Sequence, residues 1–166
     1  LCAGCPHRST YYVLKKHDIA CAGDIGCYNL GAQPPFEAQH TMGCMGASIG
    51  QLHGMSLANL PENRVCTIGD GTFWHSGLPA LANMVHNNGR GVVILMDNDN
   101  TAMTGHQDNP ATDYRVLRNV EATKIDIPAV CRAMGVELVK TVNAFDVNEV
   151  EAGLKECMAY DKVSVL

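Results

Sequence analysis

Arg64-Val-Cys-Thr-Ile-Gly-Asp-Gly71 and Gly91-Val-Val-Ile-Leu-Met-Asp-Asn-Asp-Asn100 decide the reading of this chain. Each is an apolar run of strand length that closes on a polar cluster. The second run is continuously apolar, as a strand buried on both faces is. Between them, Ser76 is expected to cap a helix that reaches about Asn87, with Leu78, Leu81 and Val85 at core spacing. Pro79 is tolerable in its first turn, and Gly89 reads as its stop. Strands joined by one such crossover are usually parallel neighbours. Gly69-Asp-Gly71 and Asp97-Asn-Asp-Asn100 then lie side by side at one sheet edge.

Outward from this unit the alternation continues. Ile19–Ala22 reads as a short strand and residues 44–58 as a helix. Residues 126–134 read as a helix, 136–140 as a strand, 146–160 as a helix and 162–166 as a last strand. Residues 108–122 have no clean period and read mostly as loop. The pattern predicts a three-layer α/β/α domain with a mainly parallel sheet. Ligands of such sheets sit beyond the carboxyl ends of the strands.

Composition agrees. The chain has 166 residues, 46% of them hydrophobic and 17% charged, which is a globular balance in about one domain. A net charge of −5 argues against a nucleic-acid binder. No apolar run approaches a membrane span, and no signal peptide opens the chain. Starting without Met and stopping inside a strand, residues 1–166 are expected to be one piece of a longer protein. The eight cysteines sit in an α/β pattern, which points to a reducing compartment and not to a disulfide framework. Cys21, Cys66, Cys131 and Cys157 read as buried core thiols.

The paired clusters carry the chemistry. A carboxylate at Asp70 and an amide oxygen at Asn98 are hard ligands suited to Mg²⁺ or Ca²⁺. Gly69 and Gly71 permit close backbone approach, and the expected helix start at Ser76 favours anions. Together they predict a site for a metal-bound di- or triphosphate. Asp97-x-Asp99-x-Thr101 also matches the nucleophile motif of haloacid-dehalogenase-type phosphatases, but no acidic pair follows a later strand. A calcium loop starting at Asp97 would need Gly and Glu where Ala102 and Asp108 stand.

Gly-Asp-Gly followed by twenty-six residues and Asn is similar to the thiamine diphosphate motif. The segments Gly69-Asp-Gly-Thr-Phe-Trp-His-Ser-Gly77, Asn98-Asp-Asn-Thr-Ala-Met-Thr-Gly-His-Gln107 and Leu1-Cys-Ala-Gly-Cys-Pro-His-Arg8 narrow it further. They resemble the α subunits of indolepyruvate:ferredoxin oxidoreductases, within the 2-oxoacid:ferredoxin oxidoreductase family. The resemblance implies a thiamine diphosphate-binding domain over residues 1–166. It assigns Mg²⁺ ligation to the Asp70 and Asn98 side chains and to the Asn100 carbonyl. Cofactor contacts fall to Gly69, Asp70, Gly71, Thr72, Asn98, Asn100, Ala102, Met103 and Thr104, with Cys44, Met45 and Gly46. Related pyruvate enzymes often carry Thr-Gly-Gly-Gln where Thr104-Gly-His-Gln107 stands, which favours the aryl-pyruvate branch.

The implied reaction is oxidative decarboxylation of an aryl pyruvate to an acyl-CoA, with coenzyme A and ferredoxin as partners, in the cytoplasm. A pyrimidine-binding domain supplies the activating glutamate, and a second subunit completes the enzyme. Residues 1–166 alone are therefore expected to be inactive. A non-oxidative thiamine decarboxylase or synthase would share Asp70 and Asn98 but have no use for Cys2, Cys5 and Cys27. By resemblance those three thiols match ligands of a 4Fe–4S cluster, whereas Cys2-x-x-Cys5 alone also suits zinc or redox chemistry. His7, His40, His75 and His106 are expected near the pocket mouth, with His75 a candidate for proton transfer. His17, His53 and His86 read as surface or satisfied groups. Gly46, Gly50 and Gly54 form a stripe that predicts close approach of another backbone.

Overall fold

The computed structural model describes residues 1–58, 64–112, 114, 115 and 120–166, with the backbone alone at Arg64, Tyr114 and Arg115. Its strands are β1 (Ala20–Gly23), β2 (Thr41–Met42), β3 (Arg64–Gly69), β4 (Gly91–Met96), β5 (Tyr114–Arg115), β6 (Val120–Glu121), β7 (Leu138–Val139) and β8 (Val163–Val165). Six of them form one sheet in the order β2-β1-β3-β4-β8-β7. Every pairing within it is parallel. The two decisive strands are neighbours, running from Val65 opposite Val92 to Gly69 opposite Met96. β5 and β6 make a separate antiparallel pair inside the stretch expected to be loop, part of which lies outside the described residues.

Both sheet faces are covered because β3 and β4 alternate two apolar sets. Val65, Val92 and Ile94 pack with Tyr11, Leu14, Val150 and Leu154. These come from α1 (His7–Lys16) and, beyond it in the chain, the helix Val147–Met158. Cys66, Ile68 and Val93 pack with Ile49, Leu52, Phe73, Leu81 and Cys131 on the opposite face. That layer consists of α2 (Ala47–Leu57), the helix starting at Asp70 and the helix Ile127–Ala133. The expected three-layer α/β/α arrangement is what the chain adopts. Cys21, Cys66, Cys131 and Cys157 are buried, as expected.

The crossover helix departs from expectation in a way that matters for the site. It begins at Asp70, not at Ser76: α3 (Asp70–Thr72) runs through a π-helical turn, Phe73–Gly77, into α4 (Leu78–His86). Gly69 is extended and precedes the first helical residue, Asp70, whose carboxylate accepts the Gly71 N–H at 2.7 Å. In the π turn the Leu78 N–H reaches back to the Phe73 carbonyl, widening the ladder just before Pro79, which has no N–H to give. Ser76 caps nothing; its hydroxyl donates to the Met45 carbonyl at 3.0 Å.

The remaining helices complete the set as α5 (Ile127–Ala133) and α6 (Val147–Met158). Both start on an aspartate, Asp126 and Asp146, whose side chain accepts backbone N–H groups of the first turn. Among the described residues, no other part of the chain packs on the Gly50 and Gly54 positions of the glycine stripe. A Cβ at Gly50 or Gly54 would face open space. Gly46 alone is constrained, with φ of +86° and Ser76 Oγ only 2.3 Å from where its Cβ would lie.

Candidate functional site

From β1 the chain moves outward to β2, whereas from β3 it moves the opposite way to β4. The carboxyl ends of β1 and β3 therefore flank a topological switch point, the place where open α/β sheets bind ligands. A cavity of about 110 Å³ opens there. It is lined by Ile25–Tyr28 after β1, Gly69–Thr72 after β3, and Asn98 with Asn100–Thr104 after β4. Met45 and His7 close it.

Of the residues expected from sequence, Gly69, Asp70, Gly71, Thr72, Asn98, Asn100, Ala102, Met103, Thr104, Met45 and Cys27 line this cavity. Cys44 and Gly46 do not. Gly46 acts through its backbone N–H, which donates to Asp24 Oδ1 at 2.9 Å. His75 is exposed and lies outside the lining, because the helix starts six residues earlier than expected. The two glycines of Gly-Asp-Gly make room for this chain's own side chains. A Cβ at Gly69 would sit 2.7 Å from the Tyr28 ring, and one at Gly71 would sit 2.3 Å from Thr101 Oγ1.

Several residues of the site carry no sequence signal strong enough to single them out. Asp24 is fully buried and accepts the N–H groups of Ile25, Gly46 and Ser48 at 2.8, 2.9 and 3.1 Å. One carboxylate thus caps α2 from the neighbouring loop. The Ile25 carbonyl accepts the Tyr28 hydroxyl at 3.0 Å and the Thr72 hydroxyl at 3.4 Å. The loops after β1 and β3 are locked together before any ligand arrives. His7, by contrast, lines the crevice as expected; it is buried, and its ring meets Tyr28 edge-on with centroids 6.3 Å apart. Burial lowers its pKa to about 4 against the opposing pull of the Asp97 carboxylate, so the imidazole is neutral at pH 7.

Asp70 is only 2% exposed. Its Oδ1 takes the Gly71 N–H, but its Oδ2 is buried with no hydrogen-bond partner. Burial raises its pKa to about 6; the Gly71 N–H and the Asn109 amide oppose the rise, and the Asp97 carboxylate adds to it. The Asn100 side chain is already engaged, donating to the Asn98 carbonyl at 2.9 Å and meeting His106 Nδ1 at 3.3 Å. That leaves the Asn100 backbone, as the motif expects, and not its amide. A carboxylate with one unpartnered oxygen, lining one crevice with Asn98 and Asn100, is a donor set that fits a hard divalent cation such as Mg²⁺.

Among the described residues, no three His, Cys, Asp or Glu side chains are grouped to hold a metal ion. Cys27 lies at the crevice and Cys2 and Cys5 on the turn before α1, so the three sulfurs do not converge as expected. The junction between these segments is instead the His7–Tyr28 ring contact. All eight cysteines are free thiols.

The family model described as "Thiamine pyrophosphate enzyme, C-terminal TPP binding domain" matches residues 24–166. "Indolepyruvate oxidoreductase subunit IorA" of Methanothermobacter thermautotrophicus is 39% identical over 175 residues, covering 100% of this chain and 28% of its own length. IorA of Pyrococcus horikoshii is 40% identical over 182 residues, with the same coverage of 100% and 28%. The chain thus spans about 28% of the length of these curated relatives. Among solved structures, 2-oxoglutarate:ferredoxin oxidoreductase from Magnetococcus marinus superposes with a TM-score of 0.82 at 18% identity, over 99% of this chain and 61% of that one. Benzoylformate decarboxylase from Polynucleobacter necessarius superposes at 0.63 and 18% identity, over 97% and 32%. These structures share the fold. The switch-point crevice, the Gly-Asp-Gly strand end and the match over residues 24–166 lead to one conclusion: the chain belongs to the C-terminal TPP-binding domain family of thiamine pyrophosphate enzymes.

Proposed function

We propose that residues 1–166 are the thiamine diphosphate-binding domain of a longer, cytoplasmic oxidoreductase. It oxidatively decarboxylates aryl pyruvates such as indolepyruvate to acyl-CoA, with coenzyme A as acceptor and ferredoxin as oxidant. The observation that carries the site is Asp70, a buried carboxylate with its Oδ2 left without a hydrogen-bond partner, on the lining of the same crevice as Asn98 and Asn100. The similarity of the whole chain to IorA subunits supports the aryl-pyruvate assignment over a non-oxidative decarboxylase, which shares the fold at the lower TM-score of 0.63.

In this reading Asp70, Asn98 and the Asn100 carbonyl hold Mg²⁺, and Mg²⁺ holds the diphosphate. When bound, thiamine diphosphate supplies the carbanion-stabilising chemistry that a 2-oxoacid needs to lose carbon dioxide. The chain's own part is placement. The Asp24 and Ile25 hydrogen bonds fix the crevice walls, and Met45 and Met103 give it an apolar rim. The glutamate that activates the ring comes from a separate pyrimidine-binding domain, so residues 1–166 alone are inactive. Electrons leave singly through iron–sulfur centres, for which Cys2, Cys5 and Cys27 are candidate ligands in the intact protein.

The test uses the full-length chain with its partner subunit. Indolepyruvate should drive ferredoxin reduction only when coenzyme A is present, and indoleacetyl-CoA should accumulate. Release of carbon dioxide and free aldehyde without any electron acceptor would instead make it a non-oxidative decarboxylase.

A further inference from the structure

Met45 lines the crevice, yet the residue after it lends its backbone no stiffness. Gly46 sits at φ of +86°, a conformation that glycine enters and leaves readily. The wall is held from outside. The Met45–Gly46 peptide is gripped at both of its polar atoms: its carbonyl accepts the Ser76 hydroxyl at 3.0 Å, and its N–H donates to Asp24 Oδ1 at 2.9 Å. In a trans peptide these two groups point in opposite directions, so bonds at both fix the plane between them.

The two grips come from different loops. Asp24 follows β1, is fully buried, and is itself held by the N–H groups of Ile25, Gly46 and Ser48. Ser76 lies in the π turn after β3, a kind of turn that recurs at functional sites. A serine within a helix ordinarily bonds back to the carbonyl four residues earlier. Here that carbonyl, of Thr72, is the longer contact at 3.4 Å, and the hydroxyl reaches out to Met45. The approach is close enough to demand glycine at 46, since a Cβ there would lie 2.3 Å from Ser76 Oγ. Ser76 does not line the crevice, so its effect on a ligand passes through Met45.

We propose that Ser76 is a positioning residue for the crevice: with Asp24 as the fixed jaw, its hydroxyl clamps the Met45–Gly46 peptide and so holds the Met45 side chain where the ring portion of thiamine diphosphate packs. The inference rests on the cofactor reading above. It ties Ser76 to the apolar half of the cofactor and not to the diphosphate, which the Asp70 end holds. Without the hydroxyl, the loop at Gly46 samples other conformations, and affinity falls with the fraction of molecules whose wall is in place. One hydrogen bond of this kind sets the loss at about three- to tenfold.

The test measures binding to the full-length chain with its partner subunit by calorimetry, at saturating Mg²⁺, with two probes: thiamine diphosphate and inorganic pyrophosphate. Pyrophosphate carries the metal-binding half of the cofactor and no ring. Alanine suits a helix, so Ser76→Ala keeps the fold. It should weaken thiamine diphosphate by about three- to tenfold and leave pyrophosphate at the wild-type affinity. A general loosening of the site would weaken both. Met45→Ala supplies the second arm: in that background Ser76→Ala should cost nothing further. Wild-type thiamine diphosphate affinity in Ser76→Ala overturns the inference. So does equal weakening of the two probes, or a Ser76→Ala loss that persists in full beside Met45→Ala. Where the wild type binds thiamine diphosphate with Mg²⁺, each of these results removes the role of Ser76 alone. A wild type that does not bind it removes the cofactor reading, and the inference falls with it.

Discussion

At the level of single residues, Gly71 and the pair His7 and Asp70 make the sharpest demands. A methyl group at Gly71 would collide with the Thr101 hydroxyl, which belongs to the segment that follows Asn98 and Asn100. Gly71→Ala should push Thr101 aside and disturb the crevice while leaving the distant core packed. Metal-dependent cofactor binding should fall by about tenfold or more, with little change in the urea midpoint. Equilibrium binding and a denaturation curve on the same preparation check this. His7 and Asp70 titrate in opposite senses. His7 is held neutral by burial, its pKa lowered from 6.5 to about 4. Its unfolded form binds a proton first, so its contribution to stability is complete above about 6.5 and is lost as pH falls towards 4. Asp70 is raised from 3.8 to about 6, so without a cation its contribution is present below 3.8 and is lost as pH rises through 6. His7→Gln should make the metal-free protein less acid-sensitive between pH 4 and 6.5, and Asp70→Asn should stabilise it above pH 6. Melting temperatures across that range would separate the two.

Among the elements, legibility depends on what the buried face carries. β4 is plain in the sequence because six consecutive residues, Gly91 to Met96, include no polar side chain. α1 is not, although it buries His7, Thr10, Tyr11 and Leu14 at the spacing of a helix face. Two of those four are polar, and its N-terminus has no side-chain cap, so neither period nor start signal stands out. The π turn has the same character. Ser76 before Pro79 looks like a helix start, and only the fold reveals that the helix is already two turns old. α1 is tied to α6 by Glu151, which meets Lys16, His17 and Lys155 at 2.6, 2.8 and 2.6 Å. The Lys155, Lys16 and His17 hydrogen bonds lower its pKa from 4.5 to about 2. Its contribution is present above about 4.5 and is lost as pH falls through 2. Glu151→Gln should lower the melting temperature modestly at neutral pH, as exposed ion pairs do, and the deficit should close as the buffer approaches pH 2.

For the molecule as a whole, the site follows from topology. Strand order reverses between β1 and β3, and the crevice opens where it reverses. The Asp70 and Asn98 halves are readable from sequence because one crossover makes their strands neighbours. The third wall is not. Tyr28 lines the crevice and Asp24 ties the start of α2 to the loop after β1, contacts between segments distant in sequence that no motif announces, whereas His7 lies at the crevice as expected. The measurement that bears most directly on this assignment is calorimetric titration of thiamine diphosphate into the full-length enzyme with its partner subunit, at rising Mg²⁺, for wild type and Asp70→Ala. The wild type should bind the cofactor in proportion to Mg²⁺ occupancy and lose it on chelation, and Asp70→Ala should show no Mg²⁺-dependent binding. Asp70→Ala binding the cofactor with wild-type affinity and wild-type Mg²⁺ dependence would contradict the assignment of this crevice.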